Sequence, residues 1–202
     1  MAGGSFQALL ASVPAGALVY PTLDPSKKQT GNTLSGGNLT NTGPAGSPYT
    51  ASVQGTVSRS SGKWYWETLI TTVGTSYVGI SNVASLNGSA DNRAYNDATT
   101  YSYGGNGNKL NGGSESAYGA TYTNGNIISV AFDADNGRIF FAKNGVWQNS
   151  GDPAAGTGAA FTGLSGAKFP LDTVYVSGVH VLNFGASPFA HSVPSGFSAI
   201  TV

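Results

Sequence analysis

Two hydrophobic segments and a shorter third are joined by Asp135-Asn136-Gly137 and Asn144-Gly145 within residues 126–147, and this run constrains the fold more than any other part of the chain. Asn-Gly steps supply the positive φ angles of tight hairpin turns, so the run predicts a three-strand antiparallel meander. A two-residue period puts Ile128, Val130 and Phe132 on one face of the first strand and Ile127, Ser129 and Ala131 on the other. In the second strand Ile139 and Phe141 alternate with Arg138, Phe140 and Ala142. One face is expected to enter a core and the other a thinner or wetter layer. A meander of this kind points to a binding scaffold rather than a catalyst.

The alternation recurs elsewhere. Trp64, Trp66, Thr68 and Ile70 share one side of a predicted central strand, and Tyr77-Val78-Gly79-Ile80 reads as another. Residues 179–185 form a predicted closing strand, followed by an extended tail that Phe189 and Phe197 are expected to fasten to the body. Residues 23–57 are rich in Gly, Pro, Asn and Ser turns, which suits edge strands and surface loops. Residues 87–124 read as a long polar region broken only by tyrosines, and loops of that length are often functional.

Composition narrows the function classes. Only 9% of the 202 residues are charged, where about a quarter is usual, so the surface must be mostly neutral and polar. Nine basic residues balance nine acidic ones without a cluster, so no nucleic-acid partner is expected. No apolar run approaches transmembrane length, and no membrane partner is expected. With no cysteine, thiol catalysis, disulfides and thiolate-bound zinc are excluded. A hydrophobic share of 40%, including 11% aromatic residues, is ample for a packed core.

The start of the chain stands apart. Ser5 is placed to cap a short helix in which Phe6, Leu9, Leu10 and Val13 line one face and Pro14 marks the end. Such a short helix is marginal alone, so residues 1–20 are read as an anchoring arm and residues 21–202 as the domain. A secretory signal fits less well, because no Lys or Arg precedes the apolar part and Gln7 interrupts it.

Candidate chemistry is thin. His180 and His191 are the only histidines, nothing marks a nucleophile beside them, and no enzymatic activity is expected. Asp133, Asp135 and Asn136 resemble part of a calcium loop, but a hairpin turn capped by its own Asp and Asn side chains fits better. The glycine-rich stretch from Gly104 to Asn108 with Lys109 lacks the phosphate-loop spacing. No metal or cofactor is expected. Binding is instead assigned to Tyr95, Tyr101, Tyr103, Asn106, Tyr118, Tyr122 and Trp147, since aromatic side chains give rigid contact area at low entropic cost. The competing reading makes several of them plugs for the ends of the sandwich.

Taken in order, several motifs resemble the SPRY domain family. They are Gly62-Lys63-Trp64-Tyr65-Trp66-Glu67, Val78-Gly79-Ile80, Tyr118-Gly119, the strand from Ile127 to Asp133, Asp135-Asn136-Gly137, Phe141-Ala142-Lys143-Asn144-Gly145, Ala160-Phe161, Phe169-Pro170 and Asn183-Phe184-Gly185. The resemblance implies an all-β fold, a bent antiparallel β-sandwich of the concanavalin-like jelly-roll type, whose end loops bind protein partners without catalysis. Many members carry Gly-Asp where this chain has Gly125-Asn126, so no role of that carboxylate carries over.

The flanks, including Leu23-Asp24-Pro25-Ser26-Lys27-Lys28, residues 33–40, residues 149–158 and Pro194-Ser195-Gly196-Phe197, look like SPRY domains of tailed bacteriophages and prophages. That likeness implies a virion structural protein on the particle surface, as a capsid decoration or a head or tail appendage. Its expected partners are capsid, tail or sibling subunits, in a homo-oligomer or many copies. The alternative is a tail-fibre host-recognition module that binds a cell-surface glycan or protein.

Overall fold

Each alternating segment becomes a strand, because in-register pairing lets its apolar face enter one shared interior. The computed structural model describes residues 18–46, 51–83, 86 and 93–202. The proposed arm residues Phe6, Leu9, Leu10 and Val13 lie outside the described residues.

The strands are β1 (Leu23–Lys28), β2 (Thr33–Ser35), β3 (Thr40–Thr42), β4 (Ser52–Gly55), β5 (Lys63–Thr72), β6 (Thr75–Ser81), β7 (Tyr101–Gly104), β8 (Asn108–Asn111), β9 (Ser114–Ala117), β10 (Ile127–Asp133), β11 (Arg138–Lys143), β12 (Val146–Trp147), β13 (Phe169–Tyr175), β14 (Val179–Asn183) and β15 (Ser198–Ala199). One short helix, α1 (Arg93–Asn96), lies between β6 and β7. The first sheet runs β1-β4-β13-β6-β7-β8-β9. The second runs β12-β11-β10-β5-β14-β3-β2, with β15 added in parallel beside the start of β5. Face to face they form the expected antiparallel β-sandwich.

The predicted meander is present. Val130 pairs with Phe141 and Phe132 with Ile139 across β10 and β11, and β12 returns with Ala142 opposite Trp147. Asn144 and Gly145 take φ values of 48° and 79°, the left-handed pair that a two-residue turn between twisted strands requires. Asp133 accepts the Asn136 amide and side chain and lies 3.3 Å from the Lys63 Nζ, while Asp135 accepts the Gly62 N–H. Burial raises the Asp133 pKa, but bonds from Asn136 and Lys63 outweigh it and hold the carboxyl below its usual range. These carboxylates build the turn.

One face of the second sheet is buried in the main core, and the other is covered in part. Trp66, Ile70, Ile128, Val130, Phe132, Ile139 and Phe141 point into the main core with Val78, Ile80, Tyr103 and Phe184. Each such side chain contributes about 1.5–3 kcal/mol on burial. The opposite face, expected to be thin or wet, carries Tyr65, Ala131 and Phe140 under the C-terminal tail. Phe189 meets the Tyr65 ring edge-on at 4.8 Å and Phe197 is buried beside it, so the two tail aromatics fasten as expected.

Residues 87–124 depart from expectation, because β7, β8 and β9 occupy much of the stretch read as a polar loop. Their faces are mixed: Tyr103 is buried on one side, and Leu110 is covered on the other. That hides the simple alternation on which strand prediction depends. The outer face of this first sheet is capped where Val83, Leu86 and Ala94 pack on Leu171.

Candidate binding surfaces

The β7–β8–β9 ribbon carries a carboxylate that organises its outer edge. Glu115 faces Leu110 across β8 and β9, which puts its side chain on the same face as Tyr77. Its Oε1 accepts the Tyr77 and Tyr95 hydroxyls at 2.5 and 2.9 Å, and its Oε2 accepts the Asn106 and Asn108 side-chain amides at 2.7 and 2.9 Å. Burial alone raises the Glu115 pKa, but these four donors outweigh it and hold the carboxyl at about 2. Burial, and then the same bond and charge, push the Tyr77 hydroxyl up.

Glycine makes the arrangement possible. A Cβ on Gly104 would lie 2.7 Å from both Asn106 Oδ1 and the Tyr77 ring, so a side chain there would displace the ring that reaches Glu115. Tyr77 and Tyr95 also meet edge-on at 5.7 Å. Beside this cluster a cleft of about 270 Å³ opens between the β5–β6 turn and the Gly105-Asn106 turn.

The structure separates the aromatic residues proposed from sequence. Tyr95 and Asn106 meet at Glu115. Tyr103 and Tyr122 are corrected: they are 0% and 3% exposed and plug the sandwich interior. Their rings stand 5.3 Å apart, with Tyr118 5.4 Å from Tyr103. Burial pushes the Tyr103 hydroxyl up to about 12 and also raises Tyr118 and Tyr122. Tyr101 is half-buried and meets Phe161 edge-on at 5.2 Å, away from the Glu115 cluster. Trp147 packs half-buried on the second sheet's outer face, near the tail.

A second surface lies where that tail crosses the sheet. Glu67 accepts the Tyr65 hydroxyl at 2.7 Å and the Ala190 and His191 amides at 2.8 and 2.9 Å, stapling the tail down at one point. On one side of the staple, Leu69, Ile127, Val181 and Pro188 line an apolar groove of about 320 Å³. On the other, Tyr65, Ser129, Trp147 and His191 line a polar pocket of about 270 Å³.

Sequence reasoning missed Glu115 and Glu67. For Glu115 the usable signal is the Gly112-Gly113 step, a hairpin turn that sets Glu115 opposite Leu110. For Glu67 it is a carboxylate on a strand otherwise rich in aromatic residues, which demands a donor from elsewhere in the fold.

The two histidines lie apart, His180 in the sandwich interior and His191 in the tail beside the polar pocket. His180 is fully buried with its Nδ1 2.7 Å from Asp172, whose other oxygen accepts Asn41; Asn32 in turn donates to Asn41. This chain ties β3 and β14 to β13 across the two sheets, and neither His180 nor Asp172 lines the clefts described above.

Basic side chains are turned to internal use. Lys28, Lys109, Lys143 and Lys168 each donate to a backbone carbonyl, and Arg59 and Arg138 do the same. Lys63 pairs with Asp133, and Lys27 lies near Asp24 with its Nζ over the Phe169 ring. Arg93 is the remaining cation, and its side chain lies outside the described set. The Lys109 amine, next to the glycine-rich turn, is held at the Ala160 carbonyl.

Comparison with known proteins places the scaffold. A solved structure of stonustoxin matches with a TM-score of 0.62 at 19% identity, covering 81% of this chain and 27% of that one. The chain thus spans about a quarter of the length of that protein, and the likeness concerns the fold. The family model described as SPRY domain matches residues 63–181, from the first residue of β5 into β14 and more than half of the chain. With the sandwich and meander in place, the chain belongs to the SPRY domain family, whose members are generally binding modules rather than enzymes.

Proposed function

We propose that the chain is a non-enzymatic virion protein of a tailed bacteriophage, a SPRY module displayed on the particle and fastened by residues 1–20. Its partner-binding surface is the edge organised by Glu115. The observation that carries the binding part is the Glu115 cluster, because a carboxylate accepting four side chains presents Tyr95 and Asn106 already ordered beside a cleft. Such preorganisation lowers the entropic cost of association. The virion setting is supported by the low charge and the likeness of the flanking segments to phage SPRY proteins.

A photoreactive residue placed at Asn106 should crosslink to another virion protein in purified particles. Particles that lack the chain altogether, or contain it with no crosslink, would overturn the proposal. A second reading, a tail-fibre module binding a cell-surface glycan or protein, is favoured by clefts lined mainly by uncharged polar, aromatic and aliphatic side chains. Binding of the isolated protein to host cells tests it, and many copies spread evenly over the head count against it.

A further inference from the structure

The outer face of the second sheet carries an apolar row that the tail leaves open. Val181 on β14 pairs with Leu69 on β5, and Leu69 pairs with Ile127 on β10, so three aliphatic side chains stand abreast, turned away from the core. Leu69 is 38% exposed, whereas its inward neighbours Thr68 and Ile70 are buried. Neighbouring strands lie about 4.8 Å apart, so the row spans about 10 Å. Ala186 and Pro188 of the tail complete the lining of this groove, whose volume is about 320 Å³. The charged residue of the lining, Glu67, is already held by the Tyr65 hydroxyl and two tail amides. The groove thus offers apolar contact.

The chain supplies a segment of matching character, and it leaves the body at a matching place. Tyr20 packs so closely on Gly185 that a Cβ there would lie 2.8 Å from the Tyr20 ring, and the next residue, Ala186, already lines the groove. Just before Tyr20, Leu18 and Val19 are 67% and 51% exposed. Residues 1–17 contain no Asp, Glu, Lys or Arg. At helical spacing, about 1.5 Å per residue, Phe6, Leu9, Leu10 and Val13 make a stripe about 10 Å long, the span of the row. From Val13 to Leu18 the chain can extend about 17 Å, and Gly185 lies at most about 14 Å of chain from Val181. The stripe can therefore reach the row.

We propose that this groove is the seat of the chain's own residues 6–13, with Phe6, Leu9, Leu10 and Val13 laid across Val181, Leu69 and Ile127. The inference rests on the reading of residues 1–20 as an arm and is independent of the Glu115 surface. So short a tether keeps the segment at a high effective concentration over its own groove, which favours that groove over a sibling's. The apolar side chains are thereby kept from water until a particle surface takes the arm.

The chain has no cysteine, so a pair introduced by substitution reports on this contact alone. With Leu10→Cys and Val181→Cys in the full chain, oxidised glutathione should close a disulfide within the monomer. With Leu10→Cys and Ser116→Cys, at the far edge of the first sheet, closure should be at least about tenfold slower. Leu69→Asp, at an exposed position, should slow the first pair by a similar factor. In the chain with its native residues, deletion of residues 1–17 should shift the NMR signals of Leu69, Ile127 and Val181. The proposal is overturned if the two cysteine pairs close at the same rate, if only disulfide-linked dimers form, or if the deletion leaves those three signals unmoved. Any of these results, found with arm-dependent incorporation into particles, would reject the groove and leave the anchoring reading standing. Specific closure in a chain that joins particles without its arm would do the reverse.

Discussion

Glu115 shows how one residue turns a loose polar stretch into a defined surface. Glu115→Gln replaces an acceptor with a donor facing Asn106 and Asn108, which already donate, so it should cost about 1–3 kcal/mol in urea unfolding. Because the folded carboxyl is held at about 2, below its unfolded value, it contributes stability above the ordinary Glu range. That contribution is lost as pH falls toward 2. The parent should therefore lose stability over this acid range more steeply than the variant, and parallel pH profiles for the two would refute the assignment. The His180–Asp172–Asn41 chain makes a second case. Asp172→Ala orphans the Asn41 amide and the His180 Nδ1 inside the sandwich, at about 1–3 kcal/mol for each group.

Among the elements, the tail is the least regular and the most dependent on single contacts. Glu67 holds its backbone at Ala190 and His191, with Phe189 and Phe197 on either side of that point. Glu67→Ala should release the strap before the sheets melt. Hydrogen exchange at the Ala190 and His191 amides should accelerate by at least about tenfold, while β10 and β11 remain protected. The meander was legible in the sequence because its faces alternate cleanly and its turns are Asn-Gly. The β7–β9 ribbon was not. Tyr101 and Tyr103 point inward while Leu110 and Glu115 work on the outer face, and no residue count reveals that Leu86 and Ala94 pack on that same face at Leu171. Tyr103 and Tyr122 therefore read as loop surface although both are core.

For the whole molecule, the order of pairing matters more than any single contact. β5 sits between β10 and β14, and β13 lies between β4 and β6, so partners must meet across long stretches of chain. Folding dominated by such distant pairings is expected on the millisecond-to-second scale, measurable by stopped-flow fluorescence of the three tryptophans. The folded body begins by Val19, whose carbonyl accepts the Val202 amide, and Tyr20 packs against the core. Removing residues 1–17 should leave the melting temperature within a few degrees of the parent, whereas Tyr20→Ala should lower it by several degrees. If the truncated chain still joined particles at full occupancy, the arm would not be the anchor.

The inward use of Lys and Arg has a practical consequence for any complex this module makes. With cations tied to its own carbonyls and carboxylates, and nine basic residues against nine acidic ones, the module gains little from long-range Coulomb attraction and surrenders few counterions when a partner arrives. Its association rate should be that of unsteered diffusion, and its affinity should be nearly flat between low and high ionic strength. Contacts of this kind persist through a molar salt wash that would strip an electrostatically held protein from its support.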